Sequence, residues 1–149
     1  MIRLTVLLPL ALLVCACAST PSASISALRD ARSDALGPYS QAIEANGFVF
    51  VSGVIAFNSQ TNEFAPAEID AQTRQCLENL RSILESNGLS LADVVKTTVF
   101  LRNAADMAGM NAAYSLYFHT RPPARTTVPG ADWGRPDILI EIEAIALRR

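Results

Sequence analysis

The end of the chain decides the fold: Pro-Ala-Arg-Thr-Thr-Val occupies residues 123–128, and Leu-Ile-Glu-Ile-Glu-Ala-Ile-Ala occupies residues 139–146. Both segments are rich in β-branched and apolar residues, and a loop rich in Gly, Pro and Asp separates them, which is typical of two strands. Alternation along the second strand places Ile140 and Ile142 on one face and Glu141 and Glu143 on the other. Carboxylates with apolar neighbours on a strand are unusual and need an explanation.

A turn near Gly134 would join these strands into a hairpin. The resulting register predicts Arg125 opposite Glu143 and diagonal to Glu141, so that one guanidinium and two carboxylates converge on one sheet face. Two interpretations follow: a structural ion pair across the hairpin, or a functional site. Spacing alone does not distinguish Glu141 from Glu143.

The N-terminus resembles an export signal. Arg3 precedes an apolar run at residues 4–14 that is too short to span a bilayer, and Val-Cys-Ala-Cys-Ala-Ser follows at residues 14–19. We interpret residues 1–18 as a lipoprotein-like signal peptide with Cys17 as the candidate lipidation site, residues 19–33 as a flexible tether, and residues 34–149 as one domain. The alternative is cleavage by ordinary signal peptidase at the A-x-A site formed by Ala16 and Ala18. Either interpretation predicts an exported protein: free in the periplasm after ordinary cleavage, or anchored to the outer membrane through a lipid on Cys17.

Composition excludes several function classes. Without Arg3, 11 basic residues stand against 14 acidic residues, and no Lys/Arg cluster indicates nucleic-acid binding. Cys76 is the one cysteine outside the leader, so no internal disulfide is expected. A single histidine, His119, which we interpret as a surface residue at a helix end, cannot build a zinc site of the usual kind. We therefore expect no metal and no cofactor.

Periodicity predicts the remaining elements. A hairpin should form around Asn46-Gly47, a strand over residues 94–101, and helices over residues 67–87 and 103–118, the second capped by Asn103. The apolar stripe of the first helix includes Cys76, which we interpret as a core residue. The predicted fold is α+β, with two helices packed on one face of a mixed sheet.

The other sheet face has no predicted cover. It would carry Leu139 and Ile145 together with the two carboxylates, and an apolar face left open is typical of a subunit interface. The Arg125 cluster would then lie at or between subunits, where small-molecule sites are common.

Six motifs occur in a recognisable order. They are Gly-Pro-Tyr (37–39), Val-Ser-Gly (51–53), Asp-Val-Val-Lys-Thr-Thr-Val-Phe (93–100), Asn-Ala-Ala-Tyr (111–114), Pro-Ala-Arg (123–125) and Ile-Glu-Ile-Glu-Ala-Ile-Ala (140–146). From residue 37 to the C-terminus this order resembles the RidA/YjgF family of reactive-intermediate deaminases. The resemblance implies a chorismate-mutase-like fold and a homotrimer with ligand clefts between subunits.

The resemblance also implies an activity. Family members that have the arginine hydrolyse 2-imino or 2-enamino acids to 2-keto acids and ammonia without metal or cofactor. By this likeness Arg125 binds the carboxylate of a small 2-imino or 2-keto acid, Glu141 acts as general base, and Tyr39 supplies a hydroxyl. Further substrate-binding positions implied by the family are Ser52, Gly53, Asn111 and Thr127; a packing or turn role remains equally open for each.

The chain also departs from the family pattern. Thr127 stands where many members have a cysteine, Val54 where a glutamine is frequent, and Asp-Trp-Gly-Arg at residues 132–135 replaces a more usual stretch. Trp133 could cap the hairpin or narrow the cleft. Two other functions stay open: a non-catalytic, trimeric small-carboxylate-binding protein of the cell envelope, and an interaction protein whose cleft is idle.

Overall fold

The computed structural model describes residues 24–149. The predicted signal peptide, Cys17 and the first part of the predicted tether lie outside the described residues. Within residues 24–149, no helix combines the length and apolarity needed to cross a membrane.

The described chain forms a mixed sheet with both helices on one face. The strands are β1 (Ile25–Leu28), β2 (Ala42–Ala45), β3 (Phe48–Ile55), β4 (Phe57–Asn58), β5 (Glu63–Phe64), β6 (Val94–Leu101), β7 (Ala124–Pro129) and β8 (Ile140–Leu147); the helices are α1 (Ile69–Ser86) and α2 (Met107–Ser115). Six strands make the main sheet in the order β1-β2-β3-β8-β6-β7, and β4 and β5 form a separate hairpin. The predicted α+β fold is confirmed.

The hairpin of β2 and β3 forms as predicted. Asn46 and Gly47 both have positive φ, 51° and 79°. Asn and Gly tolerate this backbone, which matches the twist of the strands on either side of a two-residue turn.

The core lies between α1, α2 and the inner face of the sheet. From α1 the fully buried residues include Cys76, Leu77, Leu80 and Leu84, and the inner positions of β8 are buried in alternation, as predicted. Cys76 is fully buried, which confirms it as a core residue, and this burial raises the pKa of its thiol above the ordinary value.

The predicted C-terminal hairpin is wrong. Strand β7 pairs in parallel with β6, where Arg125 lies opposite Thr97, while β8 pairs with β6 on its other side and places Glu143 opposite Thr98. The chain passes from β6 to β7 through α2, a crossover that makes parallel neighbours and leaves β7 at the sheet edge. Strand β6 therefore separates Arg125 from both glutamates.

The predicted tether is also wrong from residue 25 onward. Strand β1 pairs antiparallel with β2, and Asp30 is 7% exposed and accepts hydrogen bonds from Ser82 and Ser86 of α1. The ordered domain therefore begins before residue 34.

The predicted cap of the second helix is also different. The side chain of Asn103 does not cap α2 but donates to Asp106 Oδ2, and a short 3₁₀ turn precedes the helix.

The face of the sheet opposite the helices carries exposed apolar side chains, as predicted. Phe48, Phe50 and Val95 are 42%, 45% and 37% exposed. Phe50 lies between Ile43 of β2 and Ile145 of β8 in the register of the sheet, so these residues form a continuous patch, here called the open face.

Candidate functional site

Helix α2 holds the guanidinium of Arg125 on the helix-covered side of the sheet. Nη2 donates to Asn111 Oδ1 at 2.6 Å, Nη1 lies 3.7 Å from Met110 Sδ, and Cζ lies 4.8 Å from the centre of the Tyr114 ring. The hydrogen bond to the Asn111 amide and the stacking on the Tyr114 ring fix the plane of the guanidinium, so its other N–H groups keep a defined direction.

Tyr114 is itself fixed to β6. Its hydroxyl shares a hydrogen bond of 2.7 Å with Thr97 Oγ1, and burial raises its pKa against the opposing effects of that bond and of the Arg125 charge. The phenol therefore stays neutral at pH 7 and presents a ring face to the cation. The sequence singled out Tyr114 only as the last residue of the Asn-Ala-Ala-Tyr motif.

Arg125 lies at an open cleft between α2 and the segment before β7. Asn111, Ser115, His119 and Pro123 contribute to its walls. Thr127 follows two positions after Arg125 on β7 and so shares its side of the strand. Within residues 24–149, no carboxylate forms an ion pair with Arg125, so the predicted structural ion pair does not exist in one chain.

The Glu141 carboxylate lies on the other side of the sheet, over Gly53. A Cβ atom at residue 53 would lie 1.9 Å from Glu141 Oε1, so only glycine leaves room for the carboxylate. Glu141 Oε2 accepts a hydrogen bond of 2.6 Å from the indole Nε1–H of Trp133. Glu143, on the same face of β8, is more exposed.

Trp133 is the partner of Glu141 that the sequence did not reveal. Because the strands do not form a hairpin, Trp133 does not cap one; it lies in the long loop that connects β7 to β8. In the sequence, the only indication of a special role for Trp133 was that residues 132–135 depart from the family pattern.

Tyr39, Ser52 and Gly53 line one cavity of about 340 Å³ between the N-terminal segment, β3 and α1. Ser52 Oγ donates to the carbonyl oxygen of Ser40 at 2.7 Å, which ties the Gly-Pro-Tyr turn to β3. Tyr39 is 49% exposed. Gly53 therefore joins this cavity to the position of Glu141.

The predicted site residues thus form two separate groups in one chain. Arg125, Asn111 and Thr127 lie at the β7 edge on the helix-covered side, whereas Glu141 lies on the open side of the sheet over Gly53. Tyr39, Ser52 and Gly53 line the cavity beside β3 that α1 also walls. The sheet stands between Arg125 and Glu141. Among residues 24–149, no three His, Cys, Asp or Glu side chains gather as metal ligands would.

Comparison with known proteins identifies the family. The profile of the Endoribonuclease L-PSP family matches residues 29–148. A RutC family protein of Pyrococcus horikoshii is 48% identical over 113 residues, which are 76% of this chain and 89% of that protein. The 2-iminobutanoate/2-iminopropanoate deaminase of Escherichia coli is 43% identical over 118 residues, 77% of this chain and 91% of that protein. The structure of Escherichia coli TdcF with bound serine superposes with a TM-score of 0.75 at 36% identity, covering 83% of this chain and 99% of that one. The chain therefore belongs to the Endoribonuclease L-PSP family, to which the RidA/YjgF resemblance of its motifs had pointed.

Proposed function

We propose that this protein hydrolyses small 2-imino acids, and their 2-enamino tautomers, to 2-keto acids and ammonia. The observation that carries the proposal is Arg125, whose guanidinium is held in a cleft by Asn111 and Tyr114 and, within residues 24–149, has no carboxylate partner. A planar guanidinium that is fixed in place and lacks a carboxylate partner can bind the carboxylate of such a substrate through two parallel hydrogen bonds. The deaminase name of the 43%-identical relative supports the same chemistry.

The reaction needs few groups. A water molecule adds to the carbon of the protonated imine as Glu141 accepts one water proton, which gives a tetrahedral aminoalcohol. Glu141 then gives that proton to the nitrogen, and the C–N bond breaks with its electron pair on nitrogen. The remaining hydroxyl becomes the ketone as it gives its proton to Glu141, which returns it to the solvent that first protonated the imine. Imine and water are consumed, and 2-keto acid and ammonia are formed. Tyr39 and Ser52 contribute hydroxyl groups near the Glu141 side.

One protomer cannot bring Arg125 and Glu141 to the same substrate, because the sheet separates them. We therefore propose a homotrimer in which the Arg125 group of one protomer faces the Glu141 group of the next. The open face supports this assembly, because Phe48, Phe50 and Val95 would otherwise remain in water.

The test is a coupled assay on the domain from residue 24 onward. A pyridoxal-phosphate-dependent threonine dehydratase supplies 2-iminobutanoate, and the formation of 2-oxobutanoate is followed with and without the protein. We expect acceleration by the wild type and its loss in Arg125→Ala. Arg74→Ala, which removes an exposed ion pair with Asp70, is the matched control and should retain full activity. Equal rates for wild type and Arg125→Ala would contradict the proposal.

A second candidate is a non-catalytic receptor for small carboxylates. The relative TdcF was crystallised with bound serine, an amino acid that carries a carboxylate. Calorimetric titration with 2-oxobutanoate separates the candidates: a receptor would bind the acid, lose binding in Arg125→Ala, and give no acceleration in the coupled assay.

Export remains a separate proposal, supported by the leader sequence around Cys17. Expression of the full chain in a Gram-negative bacterium, with metabolic labelling by a radioactive fatty acid, tests it. We expect label in the membrane fraction, and its loss in Cys17→Ala. An unlabelled protein in the cytoplasmic fraction would contradict export.

A further inference from the structure

We propose that Trp133 is a positioning residue for Glu141: its indole N–H holds Oε2 and so leaves Oε1 as the oxygen that accepts the proton from water. This inference rests on the proposed function of Glu141 as general base. It assigns a role to a residue that the family resemblance does not assign.

The geometry around the carboxylate supports this division between its two oxygens. Trp133 Nε1 lies 2.6 Å from Oε2, a short distance typical of a hydrogen bond to a charged acceptor. Oε1 packs against the bare backbone of Gly53 and accepts no hydrogen bond from residues 24–149, yet it keeps some exposure to solvent. Gly53 also lines the cavity shared with Tyr39 and Ser52, so Oε1 contacts one wall residue of that cavity.

The indole is held in turn by Arg102, the residue that follows strand β6. Arg102 Cζ lies 5.7 Å from the centre of the Trp133 ring, close enough for a cation–π interaction. Arg102 also binds the loop itself: Nε donates to the Ile138 carbonyl oxygen at 2.8 Å, and Nη2 donates to Asp132 Oδ1 at 3.1 Å and to the Arg135 carbonyl oxygen at 2.5 Å.

These contacts make a continuous chain of fixed groups from β6 through Arg102 and Trp133 to Glu141. A glutamate side chain has three rotatable bonds, and orienting a catalytic group is a recognised source of rate. The donor N–H limits those bonds to one arrangement without occupying both oxygens. Trp133 thus acts on the reaction through Glu141 and touches no reacting atom in this account.

The kinetic test is Trp133→Phe, which removes the N–H and keeps an aromatic ring. Loss of one hydrogen bond to a charged group should lower kcat by roughly ten- to a hundredfold, with KM changed less than about twofold. The matched control is Tyr117→Phe, which removes the 2.8 Å bond from an aromatic donor to the carboxylate of Glu78 on the helix side of the protein. Tyr117→Phe should leave kcat unchanged. A kcat for Trp133→Phe within twofold of wild type, or equal losses in both variants, would overturn the proposal.

A second measurement does not depend on turnover. Trp133 is the one tryptophan of the chain, so a ¹H–¹⁵N spectrum contains a single indole N–H signal. We expect this signal far downfield in the wild type, shifted upfield in Glu141→Ala, and unmoved in Glu143→Ala. An indole N–H chemical shift that is the same in wild type and Glu141→Ala would overturn the positioning role. A wild type that shows the expected shift but no deamination would instead overturn the proposed function, and with it the role of Trp133 in that reaction.

Discussion

At the scale of single residues, the site consists of side chains whose freedom is restricted by specific neighbours. Arg125 is held by an amide and an aromatic ring of α2, and Glu141 by the indole of Trp133 and the bare backbone of Gly53. Motif and chemistry singled out Arg125 and Glu141 in the sequence as candidate site residues. Their neighbours could not be identified in this way. Trp133 lies in a loop without a periodic pattern, so the sequence does not show that this loop brings the indole to Glu141.

The choice between the two glutamates of β8 gives a prediction at this scale. Glu141→Gln should lower kcat by about 10²- to 10⁴-fold, the usual contribution of a general base, because the amide cannot accept the proton from water. Binding of 2-oxobutanoate, measured by calorimetry, should persist in this variant because Arg125 is unchanged.

Glu143→Gln is the matched control, with the same change two residues further along the same face. It should retain the wild-type kcat in the coupled assay. A larger loss of kcat in Glu143→Gln than in Glu141→Gln would make Glu143 the general base instead of Glu141.

At the scale of elements, local patterns predicted where helices and strands form but not which strands are neighbours. The Asn46-Gly47 turn and the β-branched run of β6 are local signals, and the structure confirms both elements. The pairing of β7 with β6 joins residues about 30 positions apart through a helix, and nothing in the alternation of β7 distinguishes this partner from β8. The same limit applies to β1, whose short exposed sequence resembles a linker until its pairing with β2 is known.

The N-terminal segment gives a prediction at the scale of elements. Burial raises the pKa of Asp30, but hydrogen bonds from Ser82, the Arg32 backbone and Ser86, together with the Arg32 charge, outweigh it and lower the pKa below its ordinary value of 3.8. Asp30→Asn should reduce the free energy of unfolding at pH 7 by about 1–3 kcal/mol, measured by urea denaturation, because a buried carboxylate with several donors is replaced by a neutral amide.

The pH dependence of this difference follows from linkage. Since the folded-state pKa of Asp30 is the lower one, its stabilisation is complete above the ordinary pKa and is lost as the pH falls through the folded-state value. The gap between wild type and Asp30→Asn should therefore close in acid. Asp34→Asn, a substitution at an exposed position of the same segment, should leave the free energy of unfolding unchanged both at pH 7 and in acid. A gap that does not narrow at all as the pH is lowered below the ordinary pKa of Asp30 would contradict the role of its charge.

At the scale of the whole molecule, the helices cover one sheet face and leave the other with exposed phenylalanines. Placement of a lysine at the centre of this patch should prevent association, because a charge buried in an apolar interface is costly. Phe50→Lys is expected to sediment as a folded monomer while the wild type sediments as a trimer. Leu116→Lys, a matched change at an exposed leucine just after α2, should leave the trimer intact. A trimeric Phe50→Lys would place the interface elsewhere.

Each proposed site takes Arg125 from one protomer and Glu141 from another, so mixed trimers of two inactive variants should regain activity. Arg125→Ala and Glu141→Gln trimers, each inactive alone, are unfolded together in equal amounts and refolded, and native mass spectrometry confirms that mixed trimers have formed. Random assembly pairs an intact Arg125 with an intact Glu141 at about a quarter of the interfaces, so the account predicts about a quarter of the wild-type deaminase activity. Mixed trimers without activity would contradict it, because sites contained within one protomer always carry one of the two defects.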